Sequence, residues 1–215
     1  MYRNHILSFF SPQKEHLWKY IQNIHFHPEK FTEFGQIPSA NMLLYGPPGT
    51  GKSTLITSLL YEKSHIFPIG TVFSGTEDSN GHYSKMFPPT FVYNSLDEDR
   101  MRDFVKRQKI AKKHLPNPWG VMLLDDCTDD PKVLRRPLFQ GIFKNGRHWK
   151  MLFILSLQYS LDILPTIRTN IDGTFILREP ILKTRRKLWE NYASIIPDFE
   201  TFCHVMDQLT TDYTA

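Results

Sequence analysis

The segment Gly46-Pro47-Pro48-Gly49-Thr50-Gly51-Lys52-Ser53 fits the spacing G-x-x-x-x-G-K-[ST], from which a chain builds a cradle for a triphosphate. Glycines let successive backbone N–H groups turn inward on phosphate oxygens. Lys52 then reaches the β and γ oxygens, and Ser53 offers a hydroxyl to Mg2+. The apolar run Met42-Leu43-Leu44-Tyr45 precedes the motif and Thr54-Leu55-Ile56-Thr57-Ser58-Leu59-Leu60 follows it. Strand, loop and helix thus fall in the order that aims a helix N-terminus at an anion. Gly46, Pro47, Pro48, Gly49, Thr50, Gly51, Lys52, Ser53 and Thr54 are the candidate ATP-binding residues. The plainer alternative, a glycine-rich turn that binds nothing, fits poorly with these flanks.

Further along, Val121-Met122-Leu123-Leu124 runs into Asp125-Asp126. Four apolar residues ending in an acid have the form of a second nucleotide-site strand, with Asp125 holding the Mg2+ shell. Asp126 is placed to orient and polarise water for attack on a γ-phosphate; its bland reading is a cap on the next turn. Gln158 ends the apolar strand Met151-Leu152-Phe153-Ile154-Leu155-Ser156-Leu157 at the edge where ligands gather in open α/β sheets. There it serves as a γ-phosphate sensor or as an ordinary strand-terminal amide. Arg147 and His148 lie just before that strand, hence at the opposite edge from their own site. If subunits pack edge to face, Arg147 enters the neighbour's nucleotide site and stabilises charge in phosphoryl transfer. Arg135 and Arg136 are rivals for that role, and all three also read as surface or DNA-facing cations.

These residues need strands and helices in alternation, and the pattern supplies them. An amphipathic helix over Gln13 to Ile24 and a loop over His25 to Ser39 form an N-terminal helical segment, residues 1–40. The core, 41–215, completes a single domain. It contains a strand within Ile66 to Phe73, a polar excursion from Ser74 to Pro89, and a short strand at Thr90 to Tyr93. An S-x-x-E capping box at Ser95 then opens a helix running to about His114. Helical patterns surround Val133 to Phe143, with Pro137 marking a start or kink. Others cover about Asp162 to Asn170, Leu182 to Tyr192 and Phe199 to Leu209, with a strand at Gly173 to Leu177. The fold class is α/β, three layers around a mainly parallel sheet.

The bulk numbers agree with a soluble intracellular domain: 215 residues, 40% hydrophobic and 22% charged, with no apolar run long enough to span a bilayer and no signal-peptide pattern. Cys127 and Cys203 read as free thiols rather than a disulfide framework or zinc site. A net charge of +4 suits a polyanionic partner without establishing one. The basic cluster Lys106, Arg107, Lys109, Lys112 and Lys113 sits where a helix C-terminus favours cations, so it reads as a solvated helix end or as a polyanion contact.

Taken together, Gly46 to Thr54, Leu123-Leu124-Asp125-Asp126-Cys127, Phe143-Lys144-Asn145-Gly146-Arg147-His148 and Ile154-Leu155-Ser156-Leu157-Gln158 resemble the genome-packaging ATPases of nucleocytoplasmic large DNA viruses, within the FtsK/HerA superfamily. The resemblance runs from about Asn41 to Leu177. It implies a RecA-like P-loop fold and a ring, hexameric or pentameric, that hydrolyses ATP with Mg2+ at subunit interfaces to drive double-stranded DNA into a preformed capsid. It further implies sequence-independent DNA contact, capsid vertex partners, and a place in the virion or at viral assembly sites in the host cytoplasm. Lys52 and Ser53 then hold phosphate and Mg2+, Asp125 and Asp126 are the second-strand acids, Gln158 is the sensor and Arg147 the finger acting in trans. Many superfamily members have Asp-Glu where this chain has Asp125-Asp126, which leaves the general base open. No nuclease domain is visible, and the family implies further sheet-edge structure past Ala215. Two other readings compete: an AAA-type remodelling or helicase-loading ATPase, and a nucleotide-gated scaffold docking on a capsid vertex through aromatics such as Trp18, Tyr20 and Phe26.

Overall fold

The computed structural model describes residues 40–128, 130–159 and 163–210. The N-terminal helix and loop, with Trp18, Tyr20 and Phe26, lie outside them. In chain order the elements are β1 (Ala40–Tyr45), α1 (Lys52–Glu62), β2 (Ile69–Ser74), α2 (Glu77–Asn80), β3 (Val92–Tyr93), α3 (Glu98–His114), β4 (Gly120–Asp125), α4 (Pro137–Asn145), β5 (Met151–Leu157), α5 (Pro165–Arg168), β6 (Gly173–Ile176), α6 (Leu182–Tyr192) and α7 (Phe199–Leu209). The strands form one sheet in the order β3-β2-β4-β5-β1-β6, and every pair is parallel.

Parallel strands covered on both faces must be apolar along their whole length, and every residue of β4 and β5 is buried. Alternation along β1 sends Leu43 and Tyr45 into one apolar cluster, with Phe139, Phe143, Phe153 and Leu188. Met42 and Leu44 enter the other, with Leu55, Ile56, Leu59 and Phe175. Helix α1 therefore covers one face, and α3, α4, α6 and α7 cover the other, giving the expected three layers. The face that α3 buries is Met101, Phe104, Val105, Gln108 and Ala111, a helical spacing interrupted by one amide. Gln108 Nε2 donates to the carbonyls of Pro118 (3.0 Å) and Lys150 (2.9 Å), fastening the turns that lead into β4 and β5.

Some boundaries differ from the sequence expectation. Asp97 caps α3, accepting from the amides of Asp99 and Arg100 at 2.9 and 3.0 Å, so Ser95 is not the cap. A carboxylate one residue before the first helical turn faces the N-terminal dipole better than a hydroxyl two residues earlier. Pro137 opens α4 rather than kinking a longer helix, because a 3-10 turn at Pro131–Arg135 precedes it. Thr90 and Phe91 belong to a 3-10 turn, which leaves Val92–Tyr93 as the strand. Helix α5 is a single turn, Pro165–Arg168.

Candidate functional site

The loop between β1 and α1 takes its shape from two glycines at positive φ, Gly49 at 77° and Gly51 at 89°, where a β-carbon is disfavoured. Gly51 is also the N-cap of α1, which begins with no side-chain cap and no acid in its first turn. Its leading N–H groups therefore keep no internal partner and are available to an anion. Gly46 lets the loop start close against the end of β6: a β-carbon there would lie 2.5 Å from Thr50 Oγ1 and 2.9 Å from Leu177 Cβ. Lys52 is buried and its ammonium lies against the carbonyls of Gly46 (2.5 Å) and Pro47 (3.1 Å). Burial lowers its pKa, while Asp125 and Asp126 oppose that shift through their charge.

Because β5 separates β1 from β4, the loop and the acidic pair face each other across one strand width. Ser53 Oγ donates to Asp125 Oδ2 at 2.8 Å, which joins the two motifs. Asp126 follows in the left-handed region, φ 52°, an uncommon conformation for a non-glycine residue that favours functional sites. Gln158 comes directly after β5, half-buried, and the preceding Leu157 carbonyl accepts the Gly46 amide at 3.2 Å. Lys52, Ser53, Asp125, Asp126 and Gln158 thus converge on one sheet edge. Arg147 does not: it lies in the 3-10 turn Gly146–Trp149 that enters β5, at the opposite edge. Its guanidinium makes one long bond, to Asn170 Oδ1 at 3.5 Å, and its buried Nε has no hydrogen-bond partner among the described residues. Of its rivals, Arg136 is engaged by Glu98 at 2.5 Å, and Arg135 is exposed.

The polar excursion after β2 comes to the same sheet edge, where Tyr83 meets Asp125. Glu77 is buried and accepts the amides of Tyr83 (3.0 Å) and Ser84 (2.9 Å) and the Ser84 hydroxyl (2.8 Å). Burial alone would raise its pKa, but these donors outweigh that and hold it below the usual carboxylate range. The clamp turns the Tyr83 hydroxyl onto Asp125 Oδ2 at 2.6 Å, while His82 Nε2 bonds Thr57 Oγ1 of α1 at 2.7 Å. A buried carboxylate with three donors is a structural tie, so Glu77 is no rival to Asp126 as base. The only sequence signal for Tyr83 and Glu77 was their place in a polar loop after a strand.

Asp125 is 2% exposed. Its Oδ2 receives two donors, and its buried Oδ1 has no hydrogen-bond partner among the described residues. An unpaired buried carboxylate oxygen beside a serine hydroxyl fits Mg2+, which takes one or two protein oxygens and completes its shell with phosphate and water. Among the described residues no three His, Cys, Asp or Glu side chains form a metal cluster on their own.

The model of the ATPase family associated with various cellular activities (AAA) matches residues 42–128, which span the cradle and the acidic pair. Protein 075L of Invertebrate iridescent virus 6 is 51% identical over 183 residues, covering 85% of this chain and 71% of that protein. The chain belongs to this viral P-loop ATPase family. Protein 088R of Invertebrate iridescent virus 3 is a further member, 43% identical over 189 residues, 88% of this chain and 72% of that one. The fold of this chain is also similar to that of the genome packaging NTPase B204 from Sulfolobus turreted icosahedral virus 2, solved with AMPPCP: TM-score 0.51, 19% identity, 80% of this chain and 87% of that one. The three-layer P-loop fold read from the sequence is met, and the relatives are proteins of large DNA viruses, as the resemblance implies. No described helix of this family member is long and apolar enough to cross a membrane.

Proposed function

We propose that this chain is the ATP-hydrolysing subunit of a ring that drives double-stranded DNA into a preformed viral capsid. The observation that carries the reading is a complete P-loop site at one sheet edge with Arg147 at the other, in a fold shared with a viral genome packaging NTPase. Head-to-tail packing of such a subunit sets one edge against the next and closes a ring when the rotation permits. Arg147, held by a single long bond, then serves the neighbour's γ-phosphate.

In this mechanism Lys52 and the loop amides hold the phosphates, and Ser53 and Asp125 hold the metal. Mg2+, when bound, neutralises phosphate charge. Asp126 takes a proton from the attacking water as the water oxygen bonds to the γ-phosphorus and the bond from that phosphorus to the β–γ bridging oxygen breaks; Gln158 hydrogen-bonds the γ-phosphate, and Lys52 stabilises the charge left on the departing ADP oxygen. DNA contact falls to exposed basic residues such as Lys112, Lys113, Lys183 and Lys187. Binding of this kind follows phosphate charge rather than base sequence. The AAA model match favours a second reading, a remodelling ATPase acting on protein.

Turnover measured with and without duplex DNA, at low and high salt, separates the two. The motor reading expects stimulation by any duplex sequence, loss of that stimulation as salt rises, and no turnover in Lys52→Ala. Turnover indifferent to DNA at low salt would refute the motor reading.

A further inference from the structure

We infer that Tyr83 is a positioning residue that fixes the Asp125 carboxylate so that one oxygen stays open to the metal. The inference rests on the reading of Asp125 as the metal acid and adds a role for the loop after β2. Asp125 Oδ2 is taken twice, by Ser53 Oγ at 2.8 Å and by the Tyr83 hydroxyl at 2.6 Å, while the buried Oδ1 has no hydrogen-bond partner among the described residues. A carboxylate held by one short bond can rotate about its Cβ–Cγ axis and exchange its oxygens. Held at one oxygen from two directions, it cannot do so without breaking both bonds.

The geometry excludes a casual contact. Tyr83 is 1% exposed, with its ring edge-on to His82 at 4.9 Å, and its backbone amide is tied by Glu77. The division of labour is consistent: the Ser53 proton points at Asp125, which leaves the Ser53 lone pairs for the metal, and the phenol occupies the acceptor that would otherwise compete. The loop is also fastened to the nucleotide helix through His82 and Thr57. It therefore moves with the cradle, and Tyr83 keeps its aim when α1 shifts.

The test is Tyr83→Phe, which removes one oxygen and keeps the ring. Binding of a non-hydrolysable ATP analogue is titrated across Mg2+ concentrations and in chelator, and Mn2+ uptake by the same complex is followed by electron paramagnetic resonance. A charge-assisted hydrogen bond of this kind sets the scale at roughly a tenfold rise in the Mg2+ and Mn2+ midpoints. Affinity in chelator should stay within about twofold, because the phosphate cradle is untouched. Unchanged midpoints would overturn the inference. So would an equal loss of affinity with and without metal, which would make Tyr83 a prop of the fold. A wild-type protein that binds the analogue with no metal dependence would instead overturn the Asp125 assignment beneath it. Should the Phe variant not fold, Glu77→Gln keeps the phenol and loosens its clamp; a smaller rise in the same midpoints, about threefold, is then required.

Discussion

Substituting Gly75 by alanine tests whether the position of Asp126 matters to hydrolysis. Gly75 follows β2, and a β-carbon there would lie 2.2 Å from the Asp126 carbonyl oxygen, more than 1 Å inside ordinary contact. That oxygen is backbone and cannot swing aside. It belongs to a residue already at positive φ, next to a strand buried throughout, and the Gly75 amide donates to the Asp125 carbonyl at 3.2 Å. Relief must come from moving the Asp126 backbone. Overpacking of this kind costs about 1–3 kcal/mol, a fall in Tm of roughly 2–4 °C per kcal/mol for a domain of this size. A displacement near 1 Å at a water-orienting group costs about 100-fold in rate. The loop amides and Lys52 that hold the phosphates are carried by β1 and α1, and their link to the acidic strand runs through the Ser53–Asp125 bond, so nucleotide affinity should change far less than the rate, within about threefold. Steady-state turnover and analogue binding on the folded variant give both numbers. Gly141→Ala is the internal control, since nothing lies within 4 Å of its β-carbon in helix α4; it should leave turnover alone. A Gly75→Ala protein that folds and turns over within threefold of wild type would refute the assignment of Asp126 to the water.

Two further outcomes follow from the same coordinates. Mixing Arg147→Ala subunits with wild type should depress turnover more than proportionally, because each altered subunit silences its neighbour's site; a strictly proportional fall would remove Arg147 from the interface. Arg185 holds the Asp207 carboxyl below its ordinary value, and the Thr201 amide and hydroxyl do the same for Asp198. A depressed folded pKa contributes stability that is full above the unfolded value of about 3.9 and is lost as pH falls through the folded one. Tm should therefore be level above about pH 5 and drop below about pH 4. Asp207→Asn should flatten that drop and cost about 1 kcal/mol at neutral pH, a figure kept small by the solvent around half-exposed Asp207.

The parts of the site legible in the sequence were those whose meaning is local. The cradle, Asp125 and Gln158 are each announced by a strand running into a polar residue, and the sheet needed only to bring them to one edge. What was hidden depends on distance along the chain. Tyr83 reaches Asp125 through a loop whose course is set by Glu77, and nothing near Tyr83 in sequence marks it as different from any other loop aromatic. The Ser95 capping box looked sufficient until Asp97, nearer the helix start, took the amides. The chain of bonds from Tyr45 through Glu179 to Arg185 and Asp207 was equally unreadable, since it joins the end of β1 to two helices from the far end of the core.

The order of the strands has a consequence for how the protein is made. Residue 42 pairs with residues 154 and 173, so the strand that carries the cradle leaves the ribosome long before either strand that will flank it. Until then its backbone N–H and C=O groups and apolar side chains have no sheet to enter, and such late, distant pairing is slow and prone to aggregation. The acidic strand can pair with β2 as soon as it is made, but its other edge also waits for β5. A single later segment, Met151 to Leu157, joins β1 to β4, so the two halves of the candidate site are brought together only after that strand has been made.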